Sequence, residues 1–190
     1  MFSAGSMIFV FANGNSLKSR SGIFENLTIL ISSLLLLLTV KTTLSFFYAW
    51  ELMTISSFLL LLKGNKSARS ALTFLLFSIA SAYLLLSAFG LAYAETNSIL
   101  WESLAMLETF KIPVFILLAA GFLIKSGVAG FHIWMPGAYA EADDETTPLF
   151  SAILSKSGIF GLWITLGIIG EVAFKGLSFS MIIGLSLIHI

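Results

Sequence analysis

Four side chains in this sequence have the type and position to move protons: Glu51, Lys125, Lys156 and His132. The first three each lie inside a long apolar run, where a charged side chain at the centre of a bilayer costs about 2.5–3.5 kcal/mol on insertion scales. Glu51 sits in FFYAWELMTISSF, seven residues beyond Leu44, which places it about 10 Å along a helix rising 1.5 Å per residue. Lys125, in FLIKSGVAGFH, lies thirteen residues past Ile112, about 20 Å in. Lys156 follows Pro148 by eight residues, about 12 Å in. Removal from water disfavours the charged form of an acid and of an amine alike, and neighbouring groups of this kind titrate as a coupled set. The chemistry these residues imply is a protonation or ion path through a helical bundle.

Each residue also has a plainer use. Glu51 could reach toward an interface, although its side chain is short for that distance. A lysine stem spans several ångströms and can carry its charge out of the apolar layer. His132 alone would read as a hydrogen-bonded structural residue. Trp50, Trp134 and Trp163 read most simply as interface or packing residues. Asp143, Asp144 and Glu145 suit helix capping better than cation collection. A Ser126–Lys125 hydrolytic dyad lacks geometry, since adjacent helical residues face about 100° apart.

Apolar helices must position these groups. Of 190 residues 58% are hydrophobic and 11% charged, with a mean hydropathy of +1.00; a soluble domain carries roughly 25% charged residues. The pattern predicts an all-α polytopic transmembrane bundle. Spans are expected at Ile23–Val40, Leu44–Leu62, Ser70–Tyr93, Ile112–Phe131 and Pro148–Ile169, about five in all. Residues 1–22 read as the end of a truncated helix plus the linker NGNSLKSRSG, and 170–184 as the start of a further span. Residues 185–190 read LSLIHI, the string that a sequencing adapter gives when translated in frame; they are expected to be an artefact, and His189 to carry no chemistry. Residues 94–111 are expected to form a short amphipathic interfacial helix.

Between the fourth and fifth spans the chain reads FHIWMPGAY. Lys125 and His132 would share a face if the helix continued, but Gly127, Gly130 and Pro136 argue for a break. A broken helix at membrane depth is tolerated only in a cavity or buried in protein. Thr147 and Pro148 form a start signal for the fifth span, a capping hydroxyl followed by proline at the first helical position. Lys18, Arg20, Lys63, Lys66 and Arg69 fall on one side if the spans alternate, Lys41 and Lys111 on the other, which puts loop 63–69 in the cytoplasm.

Zero net charge gives no basic footprint for nucleic acid. The absence of cysteine excludes thiolate metal sites and iron–sulfur ligation in this chain. No cofactor is expected here, and any electron transfer would run through another subunit.

WELM at Trp50–Met53, KSGVAGFHIWMPGAYAEA at Lys125–Ala142 and PLFSAILSKSGIFG at Pro148–Gly161 resemble the antiporter-like subunits. These build the membrane arm of respiratory complex I, of energy-converting membrane-bound hydrogenases, and of multisubunit sodium/proton antiporters. Residues 23–169 would hold most of one five-helix repeat of that family. The resemblance implies that Glu51 and Lys125 form a switchable ion pair and that Lys156 relays protons onward. His132 matches the histidine of the family's His-x-Trp-Leu-Pro stretch, with Gly130, Trp134 and Pro136 shaping the break. Met135 stands where leucine is usual, and Asp143 where proline is. The implied partners are other membrane-arm subunits, the lipid bilayer, and protons or sodium ions, in a prokaryotic inner membrane. The leading expectation is a non-catalytic, proton-translocating subunit of a redox-driven complex. An antiporter subunit without a redox partner and a structural scaffold are the alternatives.

Overall fold

The computed structural model describes residues 22–63, 68–128, 130–142, 147, 150 and 154–173. Six α-helices are named among them: α1 (Ile23–Thr39), α2 (Thr43–Lys63), α3 (Ala68–Thr96), α4 (Lys111–Ser126), α5 (Trp134–Glu141) and α6 (Ser155–Ala173), with a 3₁₀ turn at Trp101–Met106. The expected linker before Gly22, the further span after residue 173 and the six terminal residues lie outside the described residues, as do Pro148 and Asp143–Glu145.

Helical spacing of buried residues sets each interface. On α1 the buried positions are Ile23, Asn26, Leu27, Leu30, Ser33, Leu34 and Leu37, a stripe that returns every three to four residues. It packs against α2, which continues onto α3; α3 lies along α4, and α4 along α6. In lipid the tails are as apolar as leucine, so such helices associate through close packing and interhelical hydrogen bonds. Both occur here. Ser81 of α3 donates to the Gly121 carbonyl of α4 at 2.8 Å. A Cβ added at Gly158 of α6 would meet the Ser126 hydroxyl and the Phe122 carbonyl of α4, and one at Gly161 would meet the Phe122 ring.

The outward faces carry Leu35, Leu52, Ile55, Leu72, Leu76, Leu86 and Ile116 exposed, a distribution suited to lipid rather than water. By length and apolarity α2 and α3 can each cross a membrane; α1 and Lys156–Ile169 are shorter apolar helices.

Two differences from expectation lie at one end of the bundle. The third span runs past Tyr93 to Thr96, where Asn97 at φ 51° turns the chain in a left-handed conformation. Residues 94–111 do not form an amphipathic interfacial helix. Leu100 pairs with Thr42 in an isolated antiparallel bridge, Thr43 N–H donates to the Ile99 carbonyl at 2.7 Å and Trp101 N–H to the Lys41 carbonyl at 3.1 Å. The following 3₁₀ turn buries Trp101 and Leu104. Glu95 completes this end of the bundle: its carboxylate accepts the backbone N–H groups of Glu108, Thr109 and Phe110 at 2.7, 2.9 and 2.9 Å. Those three donors, unsatisfied before the start of α4, hold the Glu95 carboxyl below the usual carboxylate range.

Candidate functional site

Lys125 lies in the last turn of α4, and the backbone explains why the helix stops there. Gly127 takes φ 66°, a conformation that L side chains adopt at a cost. Its N–H donates to the Ile124 carbonyl at 3.2 Å and the Val128 N–H to the Leu123 carbonyl at 3.4 Å, the paired bonds of a Schellman cap. The expected fourth span to Phe131 therefore ends at Ser126. Gly130, also at positive φ (96°), lies in the connection. The chain re-enters helix at Trp134, whose Nε1 donates back to the Ile124 carbonyl at 3.0 Å. Pro136 occupies the first turn of α5, where a missing N–H is tolerated.

Lys125 does not reach for an interface. It is 1% exposed, and its Nζ donates to the Thr54 hydroxyl and to the Ser78 hydroxyl, both at 2.9 Å. The Nζ also lies 4.6 Å from the Phe74 ring centroid and 5.8 Å from that of Trp50, within the range of cation–π attraction. The four groups come as two pairs. Trp50 and Thr54 are one turn apart on α2, and Phe74 and Ser78 one turn apart on α3; residues at i and i+4 share a face. Each helix contributes one ring and one hydroxyl to a cage around the ammonium.

The rings are held by their own neighbours. Trp50 lies 5.4 Å from Phe122 and 5.8 Å from Phe46, and Phe46 reaches Trp101 at 5.0 Å. Phe74 lies edge-on to Trp134 at 5.3 Å and to Phe150 at 6.4 Å. Trp50 and Trp134, expected at an interface or in packing, are fully buried packing residues, whereas Trp163 is 71% exposed.

Glu51 is half-buried on α2, one residue from Trp50 and three from Thr54. It and Lys125 act on each other through space, but the lysine Nζ donates to hydroxyls, and Glu51 Oε1 is buried without a hydrogen-bond partner among the described residues. Lys156 lies half-buried in the first turn of α6, the helix whose Gly158 packs on α4.

His132 is not brought to this cluster. It is exposed in the connection between α4 and α5, and its Nδ1 accepts the Gly130 N–H at 3.3 Å; the break at Gly127 takes it off the face of Lys125. Ser126 donates to the Phe122 carbonyl at 2.9 Å, so its hydroxyl is committed to its own helix. Thr147 donates to the Ala142 carbonyl at 3.4 Å; its capping of Pro148 lies outside the described residues. The sequence reading missed Thr54 and Ser78. Their signal was a hydroxyl one turn from Glu51 and a serine four residues from Phe74 in otherwise apolar runs.

Known proteins share this arrangement of helices. Residues 40–189 match the family model described as NADH:quinone oxidoreductase/Mrp antiporter, transmembrane. The chain is 32% identical over 155 residues to a protein named as an antiporter subunit from Staphylococcus saprophyticus, covering 76% of this chain and 19% of that one. It is 31% identical over 146 residues to hydrogenase-4 component B of Escherichia coli, covering 74% and 21%. To chain 4 of the chloroplast NAD(P)H-quinone oxidoreductase of Phaseolus vulgaris it is 34% identical over 131 residues, covering 64% and 26%. The chain thus spans about a fifth to a quarter of the length of these relatives. In three dimensions it superposes on a chain of the archaeal membrane-bound sulfane sulfur reductase with a TM-score of 0.79 at 27% identity, covering 88% of this chain and 28% of that one. It shares its fold with a chain of the Mrp complex from Dietzia, at a TM-score of 0.73 and 20% identity, covering 80% and 30%. A buried lysine at the end of a broken helix, in a bundle of this topology, accompanies a family match over most of the chain, and the protein belongs to the NADH:quinone oxidoreductase/Mrp antiporter transmembrane family.

Proposed function

We propose that this chain supplies one proton-relay unit of an antiporter-like subunit in a redox-driven membrane complex. The observation that carries the reading is Lys125: a fully buried ammonium, fixed by the Thr54 and Ser78 hydroxyls beside the half-buried acid Glu51. A buried charge with an acid nearby is costly to keep for packing alone. In the relay, a conformational signal opens or closes the Glu51–Lys125 pair, which changes how tightly Lys125 holds its proton. The proton then passes toward Lys156 on α6, the helix packed along α4. His132, exposed in the connection between α4 and α5, would serve as an outer station. Partners would be further membrane-arm subunits and the lipid bilayer. The setting is a prokaryotic inner membrane, with loop 63–69 cytoplasmic by its lysine and arginine content.

The experiment is Lys125→Ala in the complete subunit within its complex, reconstituted in vesicles and assayed for proton translocation. Translocation should be lost; an undiminished rate would remove Lys125 from the relay. The relative named as an antiporter subunit favours a second reading, sodium/proton exchange without a redox partner. A sodium gradient driving proton movement in the same vesicles, with no electron donor present, would select it.

A further inference from the structure

The Lys125 ammonium has three donors. Two are used on hydroxyls of two different helices, and two aromatic faces cover much of the remaining surface. Among the described residues the ammonium makes no hydrogen bond to Glu51, whose Oε1 lies buried and unpartnered. Thr54 is three residues from Glu51, a rise of about 4.5 Å on the same helix. A flexible four-carbon stem can cover that distance by changing rotamers.

We propose that Thr54 and Ser78, with the Trp50 and Phe74 rings, form a second docking position for the Lys125 ammonium, alternative to Glu51. The inference rests on the relay reading and specifies how its ion pair opens. An ion pair that merely separated in an apolar interior would leave an uncompensated charge, which is strongly unfavourable. The cage lowers that cost on the lysine side: the ammonium leaves Glu51 for two charge-assisted hydrogen bonds. A single bond of that kind shifts an equilibrium by roughly tenfold or more. Thr54 and Ser78 are therefore positioning residues, which act through Lys125. Their removal leaves the closed pair as the only favourable state and slows its opening.

The test uses the complete subunit in its assembled complex, with coupled proton translocation measured in vesicles for Thr54→Val, Ser78→Ala, the double variant and Thr54→Ser. The double variant should translocate at least about tenfold more slowly, while Thr54→Ser, which keeps the hydroxyl, should stay near the parent rate. A cryo-EM structure of the double variant should show Nζ moved to Glu51. Should the double variant fail to assemble, Ser78→Cys, which keeps the volume and weakens the acceptor, should show a smaller loss. Parent-like rates in the double variant, or in Ser78→Cys where that stands in, would overturn the inference, as would an ammonium that stays away from Glu51. Lys125→Ala run alongside separates the two levels. Full translocation in Lys125→Ala defeats the relay itself. Loss there with full translocation in Thr54→Val/Ser78→Ala defeats only the docking position.

Discussion

Trp134 and Ile124 are tied across the break between α4 and α5: the indole Nε1 donates to the Ile124 carbonyl at 3.0 Å. That carbonyl is one of those a helix end leaves short of partners, and it also accepts the Gly127 N–H. The bond anchors the re-entering segment directly over the last turn of α4, where Lys125 sits.

Trp134→Phe keeps an aromatic ring against Phe74 but removes the indole donor and part of a fully buried ring. It should destabilise the folded protein by at least about 1 kcal/mol, the usual net contribution of one hydrogen bond, with the cavity adding to it. Thermal unfolding in detergent measures this, and an unchanged midpoint would show that neither the bond nor the lost ring volume matters to stability.

Two glycines of α6 should respond with opposite signs. At Gly158 an added Cβ meets the Ser126 hydroxyl, the Phe122 carbonyl and the Ser126 backbone nitrogen, the last at 3.0 Å. Backbone atoms cannot swing aside, so Gly158→Ala should cost about 1–3 kcal/mol by forcing α4 and α6 apart. At Gly167 nothing lies within 4 Å of the added carbon, so Gly167→Ala should be neutral or stabilising by up to about 1 kcal/mol. Parallel melts of the two variants test the pair.

Lys125→Met separates stability from transport. Methionine fills nearly the same volume and removes the buried charge, a type of change that is often neutral or stabilising. The freed Thr54 and Ser78 hydroxyls can turn to carbonyls of their own helices, as Ser56, Ser57 and Thr73 already do. The melting point should be retained while proton translocation is lost. A large fall in stability would assign Lys125 a structural role instead.

The Glu95 clamp carries a pH dependence. Its three N–H donors hold the carboxyl below the usual range, so the unfolded chain binds this proton more readily than the folded one. The contribution to stability is complete above the ordinary glutamate value, about 4.3, and disappears as the pH falls through the lower folded value. Glu95→Gln should lower the melting point at neutral pH, and the gap from the parent should shrink in acid. A gap that is constant between pH 3 and 7 would rule out this linkage.

The apolar runs and their helical spacing were legible from composition and order. Transfer of a residue into hydrocarbon depends mainly on its own type, so Leu44–Leu62 foretold α2 closely. Glu51, Lys125 and Lys156 stood out for the same reason, since a charge in such a run is conspicuous wherever the chain goes. The break was legible as well, because Gly127, Gly130 and Pro136 act on the backbone next to them. Residues 94–111 were misread as an interfacial helix. Their conformation comes from partners far along the chain, Thr42 and Thr43 on one side and Glu95 on the other.

Chemistry local to the chain announced that this protein is a membrane bundle with ionisable groups in its interior. Which groups meet was settled by helix packing. Thr54 and Lys125 are 71 residues apart in the chain, Ser78 and Lys125 47 apart, and no local rule connects them. The rotation of α2 and α3 about their axes brings one hydroxyl and one ring from each onto the same ammonium. The same packing leaves Glu51 beside it with no partner for Oε1 among the described residues, and the left-handed Gly127 carries His132 out of reach.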